Sequence, residues 1–406
     1  MLKLLGIVLL SLFLIGCSKQ EDHTITNQDQ LTIVVASDLH YFSRSLYENY
    51  SSFSQAIKQG DGKMVDYGDE IIDQFITEVN MLDPDLVVIS GDLSFNGDII
   101  SNKEIADKLK QINTTVLVIP GNHDIDNYLS TGYSDDGYIE VDTTTSEGWW
   151  EIYDELGYHI AISKDTHSCS YMVSINSTYN MILIDDNGSN LTGHPFEEGG
   201  FIPEGTMDYL KECLETTQKE GKIPLITMHH NLAIHNSSYY ESFTNIDYEE
   251  LCELFNEYHV PFVLSGHMHL QSIKEIEGIY DIASSSLLVT PLQYGIIHLN
   301  NEKMDYHTKA LDIDLDSVSY YQECFKNRIL SMFIETPDDD FLDYFAKVNT
   351  YYFSGTIESI REDALNDEQY IKLKEENKEI YAIEYLDSIL ENDQSSTELE
   401  ISLNIS

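Results

Sequence analysis

Four short polar clusters, each directly after an apolar run, constrain this chain most. They are Asp38-Leu39-His40, Gly91-Asp92, Gly121-Asn122-His123-Asp124 and Gly266-His267-Met268-His269, with His229-His230 between the last two. The apolar runs before them read as buried strands, so the clusters would gather at one rim of a sheet. A shared rim of Asp, Asn and His is how a chain builds a site for two metal ions, which points to metal-assisted hydrolysis.

The pattern between the clusters predicts an α/β layered fold. Leu31 to Ala36 is expected as a strand by its β-branched content. A helix follows over Asp66 to Met81, with Val65, Ile71, Ile72, Phe75, Ile76 and Val79 as its apolar stripe. Further strands are expected at 86–89, 116–119, 171–175, 181–184, 223–228 and 262–265, and further helices at 102–112, 149–156, 206–220 and 248–258. The segments 278–283 and 295–299 read as closing strands of a second sheet. Residues 127–148, rich in Ser, Thr, Asp, Tyr and Gly, read as an excursion over the rim. Beyond Leu311 three helix-period stretches, 320–333, 339–350 and 368–390, predict a small helical region that caps the rest. The last residues, 391–406, carry no strong signal and read as disordered.

The first residues are expected to lie outside the fold. Lys3 precedes an apolar stretch from Leu4 to Ile15, about a dozen residues where a spanning helix needs ~20. It ends in Leu14-Ile15-Gly16-Cys17, which resembles the lipobox of bacterial lipoproteins. That resemblance implies a signal peptide over 1–17, lipid on Cys17, a polar tether over 18–30, and a protein exported and anchored on the outer side of a bacterial cell membrane. The catalytic domain is then expected over 31–311 and the helical region over 312–406. Of the five cysteines, Cys169, Cys213, Cys252 and Cys324 are widely spaced and read as thiols, not as a disulfide framework.

Charge narrows the partners. The chain has 22 basic and 71 acidic residues, a net charge of -49. Such a surface repels phosphate backbones, so nucleic acid is not an expected partner, and a membrane is reached only through the anchor. A small phosphorylated substrate stays open, because bound cations reverse the local field.

The clusters, taken in order from Asp38 to His269, resemble the calcineurin-like metallophosphoesterase superfamily. The resemblance implies a four-layer α-β-β-α sandwich and a dinuclear site. Carried over, Asp38, His40 and His269 would bind one ion. Asn122, His229 and His267 would bind the other, and Asp92 would bridge them. His123 would contact the phosphoryl group or the leaving oxygen as an imidazolium, with Asp124 orienting it. His229 is preferred to His230 as the ligand because it stands nearer the strand end, which leaves His230 as a supporting or alternative ligand. If the backbone stays extended past Ala36, Asp38 and His40 point the same way.

The substrate is less legible. Leu93-Ser94-Phe95-Asn96-Gly97 lacks the Arg of the protein phosphatase branch, and Gly-Asn-His-Asp differs from the Asn-His-Glu form of secreted 5′-nucleotidases. Both departures lean toward the phosphodiesterase-like branch, with hydrolysis of a small phosphodiester through a dinuclear site and a bridging hydroxide. The alternatives are a phosphomonoesterase or nucleotidase of the same fold, or a non-catalytic metal-binding surface lipoprotein. The two ions could be manganese, iron, zinc or cobalt. His194, His235, Tyr41 and the 127–148 excursion are candidate substrate contacts, and few cations are expected near the site.

Overall fold

The computed structural model describes residues 24–47, 51–58, 60–125, 130–135, 137–187, 199–238, 242–330, 333, 336–392 and 395–403. The expected signal peptide, Cys17, most of the tether's first half and His194 lie outside these residues.

Two mixed sheets form the centre. One has six strands: β1 (Leu31–Ala36), β2 (Leu86–Ile89) and β3 (Thr115–Val118) run parallel, and β13 (Gln293–Leu299), β14 (Lys303–Ala310) and β15 (Glu398–Ser402) continue antiparallel from β1. The other has seven. Its parallel core is β8 (Tyr179–Leu183), β9 (Ile223–Thr227), β10 (Phe262–Ser265) and β12 (Ile279–Ala283). Antiparallel edges are added by β6 (Ser163–Lys164), β7 (Tyr171–Ser174) and β11 (Ser272–Ile276).

Strand periodicity explains the layering. Val173, Met181, Leu183, Leu225 and Leu264 belong to the core shared with the six-stranded sheet. Their neighbours Met172, Ile182, Ile226 and Val263 belong to a separate cluster with Leu210, Leu214, Leu251 and Phe255. Alternate side chains of one strand thus enter two different cores, as a pleated strand covered on both faces requires. The second cluster draws on α5 (Glu204–Lys219) and α6 (Tyr248–Glu257). Against the six-stranded sheet pack α2 (Gly68–Leu82) and α3 (Ile99–Leu109) through Ile71, Phe75, Val79, Ile105 and Leu109. The result is the expected four-layer α/β sandwich with a helical C-terminal region.

Register places the site. Ala36 pairs with Ile89, and Ile89 with Val118. The carboxyl ends of β1, β2 and β3 are therefore level, and the residues just past them share one rim. Ligand sites of open α/β sheets form at this edge.

Several expectations need correction. The segments at 278–283 and 295–299 do not share a sheet: β12 lies in the seven-stranded sheet and β13 lies beside β1. Residues 398–402 are ordered as an edge strand, with Ile401 and Leu403 buried on the core face. The single helix expected over 368–390 is two, α10 (Glu368–Glu376) and α11 (Ile380–Leu390), because Asn377 takes a left-handed conformation, φ 49°, that ends the first. The excursion is partly regular: β4 (Thr131–Ser134) and β5 (Gly137–Glu140) form a hairpin, and α4 (Ser146–Ile152) starts at the cap Thr145. Short α1 (Ser51–Ile57) carried no clear signal. The C-terminal helices α7 (Ser317–Ile329), α8 (Asp339–Phe353), α9 (Arg361–Leu365), α10 and α11 enclose their own apolar cluster, which also takes in Leu270 and Val289. Cys169, Cys213, Cys252 and Cys324 are all buried, and none forms a disulfide.

Candidate metal centre

The chain turns sharply as it leaves the strands. Asp38 (φ 52°), His40 (φ 37°), Asp92 (φ 52°), His267 (φ 66°) and His269 (φ 55°) all occupy the left-handed region. The extended backbone expected past Ala36 is therefore absent, and Asp38 and His40 converge for a different reason. Each such residue costs on the order of 1–2 kcal/mol, and strain of this kind concentrates at functional sites. Backbone bonds hold the turns side by side: Asp38 donates to the Gly91 carbonyl at 3.0 Å and His40 to the Asp92 carbonyl at 2.9 Å.

Three glycines make the approach possible. A side chain at Gly91 (φ 100°) would strike the His229 ring, one at Gly121 would strike Asp92, and one at Gly266 would strike Ser37 and Asp38. Each glycine precedes a ligand-bearing loop, where only a bare backbone fits.

Two groups of ligand atoms result, each within 4.8 Å. Asp38, His40, Asp92 and His269 form one, and Asp92, His229 and His267 form the other. Asn122 joins the second, its Oδ1 3.0 Å from His229 Nε2. Asp92 is common to both. Its Oδ1 accepts from the His123 backbone N–H at 2.8 Å, which leaves Oδ2 facing His40 Nε2 at 3.6 Å and His229 Nε2 at 3.4 Å. Asp38 is arranged alike: Oδ2 accepts from the His267 backbone, and Oδ1 faces His269 Nε2 at 3.3 Å and His40 Nε2 at 3.7 Å.

The fit to cations can be judged from the unsatisfied atoms. Asp38 Oδ1 and Asp92 Oδ2 are buried and have no hydrogen-bond partner. A buried carboxylate oxygen without a donor is costly unless a positive charge compensates it. His40 Nε2 and His269 Nε2 stand 2.8 Å apart, both aimed at the same space. Across the two groups, four imidazole nitrogens, two carboxylate oxygens and an amide oxygen match the mixed oxygen and nitrogen set of first-row divalent metals.

Surrounding groups set which nitrogen of each ring is available. His229 Nδ1 donates to the Ser90 carbonyl at 2.8 Å, which turns Nε2 toward Asp92. His267 Nε2 donates to the Ser242 carbonyl at 3.0 Å, leaving Nδ1. His269 Nδ1 lies 3.1 Å from Asp61 Oδ2. Such second partners orient metal-binding imidazoles.

Electrostatics follow the geometry. Burial alone would raise Asp38, but the His269 and His40 imidazoles hold it well below the carboxylate range. Asp92 is likewise held low against burial by His229 and His123. Burial and the Lys63 ammonium push His40 down to about 3. His267 is pushed well down by burial and by the neighbouring imidazoles. The acids are thus anionic and these two rings neutral, the protonation state that ligands require. Burial would lower His229 too, yet Asp92 and Asp38 raise it to about 10, so a positive charge is strongly favoured at this point.

His123 is oriented by a backbone carbonyl, and Asp124 holds the loops instead of orienting the His123 ring. His123 Nδ1 is 2.7 Å from the Phe95 carbonyl, so that nitrogen carries the proton, and Nε2 lies 3.9 Å from Asp92 Oδ2. Burial lowers its pKa, only partly offset by Asp92. Asp124 does not orient this ring. Its oxygens accept from the backbone N–H groups of Leu93, Ser94 and Gly121 and from the Ser94 hydroxyl, at 2.8 to 3.0 Å. It therefore clamps the loop after β2 to the loop after β3. Burial and the Asp92 charge push the Asp124 carboxyl up to about 7.

The other candidates separate cleanly. His230 is outside both ligand groups, and its Nδ1 lies 3.3 Å from Asp186 Oδ1. His235 is buried with Nε2 3.1 Å from Asp281, a packing position and not a substrate contact. The Tyr41 hydroxyl is hydrogen-bonded to Asp69 and Glu104, and its ring is buried. The excursion touches the site through Asn96, whose amide donates to Thr131 O and whose carbonyl accepts from Ser130.

Sequence reasoning missed three contributors. Lys63 Nζ sits 3.4 Å from His40 Nε2 and 3.3 Å from Asp61, so a buried cation does stand at the site. Asp61 supports His269. Asp186 accepts from the His229 and His230 backbones at 3.3 and 3.1 Å. Asp61 and Lys63 flank Gly62 in a loop with no strand before it, so no pattern marked them. Asp186 was legible in principle, as it follows β8 just as Asp38 follows β1.

Comparison with known proteins agrees with this geometry. Residues 31–271, over half of the chain, match the family model described as calcineurin-like phosphoesterase. A probable cyclic nucleotide phosphodiesterase of Vesicomyosocius okutanii is 26% identical over 197 residues, 48% of this chain and 67% of that protein. Another, from Coxiella burnetii, is 24% identical over 186 residues, 46% of this chain and 60% of that protein. A dimetal phosphatase structure from Danio rerio aligns with a TM-score of 0.49 at 13% identity, covering 70% of this chain and 98% of that one. With both ligand groups meeting at Asp92 and the matched residues spanning every cluster, the chain belongs to the calcineurin-like phosphoesterase family of hydrolases.

Proposed function

We propose that this protein hydrolyses a phosphodiester bond of a small molecule, using two divalent cations held by the two ligand groups. The observation that carries the reading is Asp92 Oδ2: buried, without a hydrogen-bond partner, and placed between His40 and His229. The relatives named as phosphodiesterases support the diester preference.

Cations held there would supply Lewis acidity toward phosphoryl oxygens and lower the pKa of water. The chain's own residues do the rest. Asp38, Asp92 and the four imidazoles fix the position of the charge, and Asp61, Ser90 and Ser242 fix the rings. Lys63 adds an ammonium beside His40, suited to an anionic phosphoryl oxygen. His123, with its proton held on Nδ1 by Phe95 O, offers the Nε2 lone pair to a proton moving at the reacting centre. The net charge of -49 disfavours a polyanionic substrate, so the preferred phosphoester is small. Export and anchoring through Cys17 belong to the same proposal, supported by the apolar run ending in Gly16-Cys17.

The test is hydrolysis of a chromogenic phosphodiester and of its monoester, each with manganese and with chelator. Metal-dependent cleavage with the diester faster supports the reading. A faster monoester would make the protein a phosphomonoesterase. No cleavage under any metal would favour a non-catalytic metal binder.

A further inference from the structure

Between the C-terminal helices and the Gly-His-Met-His turn lies a cavity of about 190 Å³. Met268, the residue between two proposed ligands, lines it. So does Asp61, whose carboxylate lies against His269 Nδ1, and so does Phe243, whose ring centroid is 5.2 Å from that of His267. The ligand imidazoles do not line the cavity themselves, but its wall residues Asp61 and Phe243 lie against an imidazole of each ligand group.

Its far wall is aromatic and comes from the helical region. Tyr321 of α7 and Phe353 of α8 line it, with ring centroids 5.7 Å apart. The wall is held against the site: a side chain at Gly62 (φ 90°) would collide with the Tyr321 ring, and the Gln271 backbone donates to the Phe353 carbonyl at 3.0 Å. Arg328, one of three arginines in the chain, also lines the cavity and is solvent-exposed.

We infer that this cavity is a subsite for a planar aromatic group of the substrate, seated against the half-buried Phe353 and the exposed Tyr381 while the phosphoryl group lies at the ligand groups. The inference rests on the phosphoesterase reading and extends it to substrate class. Volume fits one ring system: a benzene-sized guest occupies a cavity of about 150 Å³, whereas drug-sized ligands need about 300 Å³ or more. The accessible Phe353 and Tyr381 rings can take offset or edge-on stacking of a further ring. The C-terminal region thereby gains a role in recognition.

Calorimetry of the manganese-loaded full chain with phenylphosphonate and methylphosphonate tests this. Phenylphosphonate should bind at least about tenfold more tightly. Phe353→Ala should reduce that preference at least about threefold, with methylphosphonate affinity unchanged. Tyr381→Ala, an exposed position on the same cavity, should act in the same direction if the first variant does not fold. Equal affinities in the unaltered protein, no binding of either phosphonate, or variants that weaken both alike would overturn the subsite. Hydrolysis of the chromogenic diester distinguishes the two ideas. Activity without phenyl preference removes only the subsite, and phenyl preference without activity removes only the hydrolase reading.

Discussion

The loops past β1, β2 and β10 and the helices past Leu311 are stabilised in opposite ways. The loops place five proposed ligands at positive φ and leave Asp38 Oδ1 and Asp92 Oδ2 buried without donors. Three of the five helices begin on ordinary caps: Asp316 accepts from Ser319, Asp338 from Phe341 and Asp367 from Gln369. They close over an apolar cluster of Phe325, Phe341, Phe345, Leu386 and Ile389. One region holds strained turns and donorless buried carboxylate oxygens. The other gains stability from burial and caps, and supplies a rigid wall beside the first.

Substitutions can break or sharpen that contrast. The largest effect is expected for Asp92→Ala, which removes the atom common to both groups. Diester hydrolysis should fall by at least about a thousandfold, measured as kcat/KM at saturating manganese, with the helical circular dichroism signal retained. Activity within tenfold of the unaltered protein would detach Asp92 from the chemistry. His123→Ala should lose about 10²–10⁴-fold in turnover while elemental analysis finds the metal content unchanged. Loss of metal instead would make His123 a structural support of the loops.

On the other side of the comparison, Phe345→Ala removes a buried ring from the helical cluster. It should cost about 3–5 kcal/mol in denaturant unfolding, without a change in the metal bound by the folded fraction. Asp61→Asn joins the two regions, because Asp61 lines the cavity and faces His269. Metal affinity should weaken by roughly 10–100-fold, read by competition with a chelator. No change would mean that His269 needs no outer partner. The smallest effect belongs to Asp338→Ala, a helix cap far from the strand ends. It should lower the denaturant midpoint slightly and leave kcat/KM untouched.

Much of this contrast is legible in the residues. Leu86–Ile89 and Phe262–Ser265 have the predicted strand bounds, and the stripe Ile71, Ile72, Phe75, Ile76 and Val79 is buried as helix periodicity requires. Each polar cluster stands past a strand because buried apolar runs are the strongest local signal. What was hidden depends on distant partners. The pairing of β13 with β1, and not with β12, is a tertiary choice that no local pattern encodes. Asp61 and Lys63 gain their meaning from His269 and His40, some two hundred and about twenty residues away along the chain. The αL turns at Asp38 and His40 were missed because alternation was extended beyond the point where the strand ends. The edge strand at 398–402 and the break at Asn377 did carry local marks, in Leu399, Ile401 and Leu403 and in an Asn followed by Lys378.

The central claim is that two ligand groups, sharing Asp92, each hold one cation. Elemental analysis of the protein reconstituted with manganese and freed of excess metal tests it most directly, alongside His269→Ala and His229→Ala. The account predicts two ions per chain in the unaltered protein and about one in each variant, from different groups. One ion or none in the unaltered protein, or two retained in both variants, would contradict it.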